Sequence, residues 1–164
     1  MITVDFKIRQ MKKKDIQQVQ QVAKTSWHST YEGIIPREIQ DRFLKVAYSD
    51  EMMNRRLKQS MMLVAEMDKK VVGFANYSFV NEVGMSELTA IYLYPTYQGQ
   101  GIGTALLEEG IRRLHSVQEI HINVEKNNRI GINFYKAKGL QVVSEFDDEF
   151  DGHMLKTVRM ILKV

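Results

Sequence analysis

Three glycines occupy alternate positions in Tyr97-Gln98-Gly99-Gln100-Gly101-Ile102-Gly103-Thr104, and the chain then runs unbroken into the amphipathic stretch ALLEEGIRRL. Residues without side chains let backbone N–H groups approach a ligand closely. The first N–H groups of a helix also lack intrahelical partners and carry partial positive charge. Such a place suits a phosphate. Two phosphate-binding patterns fail on residue type. A dinucleotide fingerprint needs G-x-G-x-x-G after a first strand, whereas this stretch reads G-x-G-x-G past mid-chain. A P-loop needs Gly-Lys-Ser/Thr, and no lysine precedes Thr104. A glycine-rich turn without a ligand accounts for one or two of these glycines, but poorly for three in register at a helix start.

Other chemistries are bounded by what the chain contains. It has no cysteine, which excludes disulfides, thiolate metal sites and a cysteine nucleophile. His28, His115, His121 and His153 show no metal-ligand spacing, so no metal is expected. Glu145-Phe146-Asp147-Asp148-Glu149-Phe150-Asp151 carries five carboxylates. The run reads either as a solvated loop or as a negative surface that gathers cations. Twenty-three basic against 20 acidic residues leave +3, too little to argue for nucleic acid, and Lys12-Lys13-Lys14 reads as a solvated turn. The N-terminal MITVDFKIRQ alternates apolar and polar residues and lacks the apolar core of a signal peptide. No apolar run approaches the ~20 residues of a membrane span. A cytoplasmic protein without a membrane partner is expected.

The elements that must position the glycines follow from periodicity. The 164 residues suit a single domain, 1–164, that buries roughly 70% of the surface its unfolded chain exposes. Val4 to Arg9 alternates as a first strand. Asp15 offers an N-cap before the stripe Ile16, Val19, Val22, Ala23 and Trp27. Pro36 to Phe43 and Ser49 to Lys58 read as short helices. Met61 to Glu66, the turn Asp68-Lys69-Lys70 and Val71 to Val80 make a hairpin. A strand from Glu87 to Tyr94 ends at Pro95, ahead of the glycine stretch and its helix. Glu119 to Val124 is a further strand, and a helix from about Asn128 to Lys138 closes at Gly139. Strands from Leu140 to Phe146 and Leu155 to Lys163 flank the acidic turn. The result is a mixed α/β chain without internal repeats.

Two segments carry a family resemblance. Gln98-Gly99-Gln100-Gly101-Ile102-Gly103, with the strand and proline before it, resembles the Q/R-x-x-G-x-G/A pyrophosphate loop of the GCN5-related N-acetyltransferases (GNAT). The segment Val124 to Leu140, VEKNNRIGINFYKAKGL, resembles the family's V-x-x-x-N-x-x-A-x-x-F-Y-x-x-x-G-F pattern, with Gly131 and Leu140 departing from it. The N-terminal WHSTYEGIIP, Trp27 to Pro36, is similar to a segment of bacterial small-molecule members, including polyamine acetyltransferases.

The resemblance implies an α/β (α+β) GNAT fold, with a mostly antiparallel central sheet splayed between its fourth and fifth strands and flanked by helices. It implies acetyl-CoA as cosubstrate, direct transfer to an amine, and no metal. The backbone of Gln98, Gly99, Gln100, Gly101, Ile102, Gly103 and Thr104 would hold the pyrophosphate. Ile91 and Leu93 would pair with the pantetheine arm, the Leu93 N–H steadying the thioester oxygen. Asn128 would contact the cofactor arm or serve as an ordinary N-cap, a place Asn127 fills equally well. Tyr135 would be the general acid toward the CoA thiolate, or simply half of an aromatic pair with Phe134. Glu87, 11 residues before Gln98 and so spaced like the glutamate base of histone-modifying members, is either the general base or an exposed strand-start charge. Trp27, Tyr31, Glu32 and Tyr92 are candidates for the acceptor site, Trp27 with a competing place in the core, and Asp41 would add negative charge. A small amine, with a polyamine foremost, is the expected acceptor. Acetylation of a protein or peptide, and a non-enzymatic acyl-CoA sensor, stay open, and homodimers are common in the family.

Overall fold

Seven strands and five helices make up the described part of the computed structural model, residues 5–164. β1 (Lys7–Gln10) leads to a 3-10 turn, then α1 (Ile16–Tyr31), α2 (Arg37–Ala47) and α3 (Asp50–Gln59). β2 (Ser60–Met67), β3 (Lys70–Ser78) and β4 (Met85–Leu93) form a meander, followed by α4 (Ile102–Arg113). β5 (Glu119–Glu125), α5 (Arg129–Ala137), β6 (Gln141–Phe150) and β7 (His153–Lys163) complete the order. The sheet runs β1-β2-β3-β4-β5-β7-β6, antiparallel throughout except for the parallel pair β4–β5. This is the expected mixed architecture. Val4, expected to open the first strand, lies outside the described residues.

Local chemistry explains most boundaries. The β2–β3 hairpin turns on Asp68 and Lys69, both with positive φ (50° and 63°), the primed geometry that suits the twist of paired strands. Ser49 caps α3, its hydroxyl accepting from the Met52 N–H at 3.2 Å. Asp15 does not cap α1 as expected. Its carboxylate is taken one turn earlier by the Lys12 N–H (2.8 Å) and by the Arg9 guanidinium (2.7 and 2.9 Å).

The apolar stripes fill two cores, one on each face of the sheet. Val19, Val22, Trp27, Met53 and Phe74 meet beneath α1–α3. Tyr77, Ile102, Leu106, Ile120, Ile122 and Met160 meet beneath α4 and α5. The Tyr77 hydroxyl there donates to the Leu106 carbonyl at 3.1 Å, so the buried phenol is satisfied while it anchors α4.

The acidic turn is a correction. β6 and β7 extend to Phe150 and from His153, so that Glu145, Asp147, Asp148 and Glu149 are strand residues and only Asp151-Gly152 turn the chain. An edge strand accepts such charged residues because one edge stays in water. Much of its charge is already met: Glu145 pairs with Lys126 (2.8 Å), Asp147 with Lys156 (3.6 Å) and Asp151 with Arg42 (2.7 Å). Among the described residues, no helix is long and apolar enough to cross a membrane.

Candidate functional site

β4 and β5 pair over three positions only, Met85 to Glu87 against Glu119 to His121, and then part. A cleft of about 400 Å³ opens where they diverge. On its other edge β4 stays zipped to β3, where the Tyr94 N–H reaches the Val72 carbonyl at 3.0 Å. Antiparallel bonding alternates along a strand. Tyr92 therefore turns its backbone groups toward β3, while Ile91 and Leu93 turn theirs into the gap, free to bond an extended ligand.

At the upper end of the gap a 3-10 turn (Pro95–Tyr97) delivers the chain to Gly99 and Gly101, which have φ of +80° and +84°. L side chains rarely adopt this conformation, so glycine is required for the backbone itself. A Cβ built on either would meet nothing within 4 Å, so the surface beside them is open. The first N–H bonded back at the start of α4 is that of Ala105, to Gly101 at 3.0 Å. Those of Ile102, Gly103 and Thr104 have no helical partner and form a donor set for an anionic group. Ile102 fixes this turn from below, fully buried in the core.

The facing wall begins at Asn128, which caps α5 by accepting from the Gly131 N–H at 3.0 Å. The N-cap thus falls on Asn128 and not Asn127. A Cβ at position 131 would come within 2.7 Å of the Asn128 amide, so any larger residue here would have to displace the end of the capping side chain. Phe134 leans on Gly103, where a Cβ would sit 3.3 Å from the ring, and it stands edge-on to Tyr135 at 5.4 Å.

Three phenols close the other end. The Tyr31 and Tyr92 hydroxyls lie 3.4 Å apart, and Tyr135 faces the same space. Burial pushes all three phenols above their ordinary value, most strongly for Tyr92 and Tyr135, so they remain proton donors at neutral pH.

Of the expected cofactor residues, Ile91, Leu93, Gln98, Gly99, Gly101, Gly103, Thr104, Asn128 and Tyr135 line the cleft. Gln100 does not; it is exposed. Ile102 does not, being core. Of the acceptor candidates, Tyr31 and Tyr92 line it, but Trp27 and Glu32 do not. Trp27 is buried beneath Tyr31, stacked on Phe43 at 4.5 Å, and Glu32 is exposed just past the end of α1. Asp41 is held by His28 at 2.8 Å. Glu87 also lies outside the cleft, in the zipped part of β4 opposite His121, with its N–H on the Ser78 hydroxyl at 2.8 Å. No carboxylate lines the cleft among the described residues, and Arg129 is its single cationic residue. Residues not anticipated include Ser26, Ser29 and Thr30, a polar stripe on α1 whose helical spacing beside the apolar one was its signal, and Asn123 on β5.

Comparison with known proteins agrees with this geometry. The model of the acetyltransferase (GNAT) family matches residues 21–140. A spermidine N(1)-acetyltransferase of Thermoplasma acidophilum is 27% identical over 155 residues, covering 90% of this chain and 95% of that protein. The uncharacterized N-acetyltransferase YuaI of Bacillus subtilis is 34% identical over 157 residues, 92% of this chain and 89% of the relative. Among solved structures, the PaiA N-acetyltransferase of Thermoplasma acidophilum in complex with coenzyme A superposes with a TM-score of 0.84 at 26% identity, covering 98% of this chain and 99% of that one.

Proposed function

The chain belongs to the GNAT acetyltransferase family, and from that premise we propose that it acetylates the amine of a small cationic molecule, a polyamine foremost, with acetyl-CoA as donor. The observation that carries the reading is the unzipped edge of β4, which has an anion-binding turn at one end and a cluster of protonated phenols at the other. The open left-handed glycines and the three free N–H groups fit a pyrophosphate without a lysine. Arg129, on the facing wall, adds the positive charge.

Acetyl-CoA supplies an acyl carbon activated by its thioester. Along the gap, Ile91 and Leu93 bond the extended arm, and the Leu93 N–H meets the charge that develops on the acyl oxygen. Asn128 borders the arm while it caps α5. Tyr135, kept protonated by burial, gives its proton to the departing sulfur. Glu87 stands away from this center, so an amine proton would leave through water. Tyr31 and Tyr92 line the acceptor end, and aromatic rings attract ammonium groups. The likeness to a spermidine N(1)-acetyltransferase over 90% of the chain supports the same acceptor class.

The test is thiol release from acetyl-CoA across amines, polyamines, amino acids and basic peptides. Turnover led by polyamines is expected. Turnover of peptides alone would replace the acceptor, and none at all with CoA bound would make the protein a sensor.

A further inference from the structure

Two carboxylates are buried among the described residues, those of Asp15 and Glu125. Asp15 is matched by the Arg9 guanidinium. Glu125 has no such partner. It ends β5 at 7% exposure, and its carboxylate accepts only from Asn127, from the N–H at 2.6 Å and from the side-chain amide at 3.2 Å. No lysine, arginine or histidine among the described residues pairs with it. The adjacent Lys126 turns outward to Glu145. An unpaired carboxylate taken out of water is costly, and a cation that reaches it is strongly held.

Its position says which cation. Glu125 does not itself line the cleft but stands directly behind its wall: it follows Val124 and precedes Asn127, both lining residues, and it shares a face of β5 with Asn123, which also lines the cleft. Tyr31 and Tyr92 line the acceptor end of the same cleft. We infer that Glu125 reads the charge of the acceptor: its carboxylate holds the ammonium that is not acetylated and so favours diamines and longer polyamines over monoamines. The inference rests on the small cationic acceptor proposed above. Burial holds the Tyr31 phenol above its ordinary value, and the negative charge of Glu125 acts in the same direction.

Glu125→Gln keeps an oxygen for the Asn127 N–H and removes the charge. Thiol release is measured for wild type and variant with 1,4-diaminobutane and with n-butylamine, and diamine binding to CoA-loaded protein is followed by calorimetry. The variant should lose about tenfold or more in kcat/KM for the diamine, the worth of one charge-assisted hydrogen bond. Its KM for acetyl-CoA and its turnover of butylamine should stay within about twofold of wild type. Glu125→Asp, which keeps the charge, should recover part of the diamine preference. An unchanged preference in E125Q, an equal fall for both amines, or a rise confined to the KM for acetyl-CoA would overturn the assignment and leave Glu125 as a brace for the turn before α5. Wild-type protein that acetylates peptides but neither binds nor acetylates either amine overturns the acceptor reading, and this inference with it.

Discussion

Replacing Tyr135 with phenylalanine isolates one oxygen. Among the described residues no protein group hydrogen-bonds that hydroxyl, and it is not sealed from the cleft. Its removal therefore strands no buried partner, and folding stability should change by no more than about 0.5 kcal/mol. Catalysis is a different matter. General acids typically contribute about 10²- to 10⁴-fold. The low end applies here, because a thiol with a pKa of about 8.5 leaves tolerably well as its anion. A loss in kcat of about 100-fold, or about 2.7 kcal/mol, is expected. Burial holds the Tyr135 phenol above 10, so its ionisation should place no alkaline limb on the rate profile below that pH. Thiol release under saturating acetyl-CoA reads kcat, and calorimetry with CoA reads binding. A Y135F enzyme that folds, binds CoA as wild type does, and turns over within twofold of it would refute the acid role.

Other substitutions test the frame around that oxygen. Gly101→Glu sets a negative charge and a strained φ beside the donor set, and should weaken CoA binding by more than about 100-fold in calorimetry. Gly101→Ala meets open space and carries only the left-handed strain, so it should cost roughly 1–2 kcal/mol in thermal or denaturant unfolding. Asn128→Ala removes the cap of α5 and should cost about 1 kcal/mol in urea denaturation, with weaker CoA binding. Asp15→Asn should cost about 1.5–3 kcal/mol near neutrality by losing charged hydrogen bonds to Arg9. Arg9 holds the Asp15 carboxyl below its ordinary value against the opposing effect of burial. That stabilisation is complete above the unfolded value of about 3.9 and is lost as pH falls through the lower native one. Melting curves of D15N and wild type should therefore converge in acid.

Features that a backbone demands of its residues were legible in the sequence. Left-handed Gly99 and Gly101, Pro95 closing a strand, and an asparagine before α5 announce their geometry by type, and they bring the anion turn and its facing wall with them. The order of strands and helices was expected from periodicity and punctuation, and the splay of the sheet from the family resemblance alone. Where the residues left two readings open, or an expectation failed, the deciding contact was tertiary. Trp27 belongs to both an apolar stripe and an acceptor-like segment, and only the stacking of Phe43 and Phe150 against it decides for the core. The acidic run has poor strand propensity, and what makes it β6 is the ladder to β7. A distance of 11 residues along the chain placed Glu87 near the glycines in number but could not show that β4 is still zipped at that point. Glu125 gave no signal, because a glutamate in a charged segment betrays nothing of its burial.

The seam between β4 and β5 has a further consequence. Only three residue pairs join one half of the sheet to the other there, and beyond them the halves are held by packing alone, Tyr77 and Leu88 sharing a core with Ile120 and Met160. A ligand arm lying in the gap would stand in for the missing length of strand and satisfy edges that otherwise face water. Occupancy and rigidity then become one quantity: every increment of donor bound adds RT ln(1 + [L]/Kd) to the free energy of unfolding. A bound donor arm would therefore suture the two halves along the stretch where they share no backbone pairing.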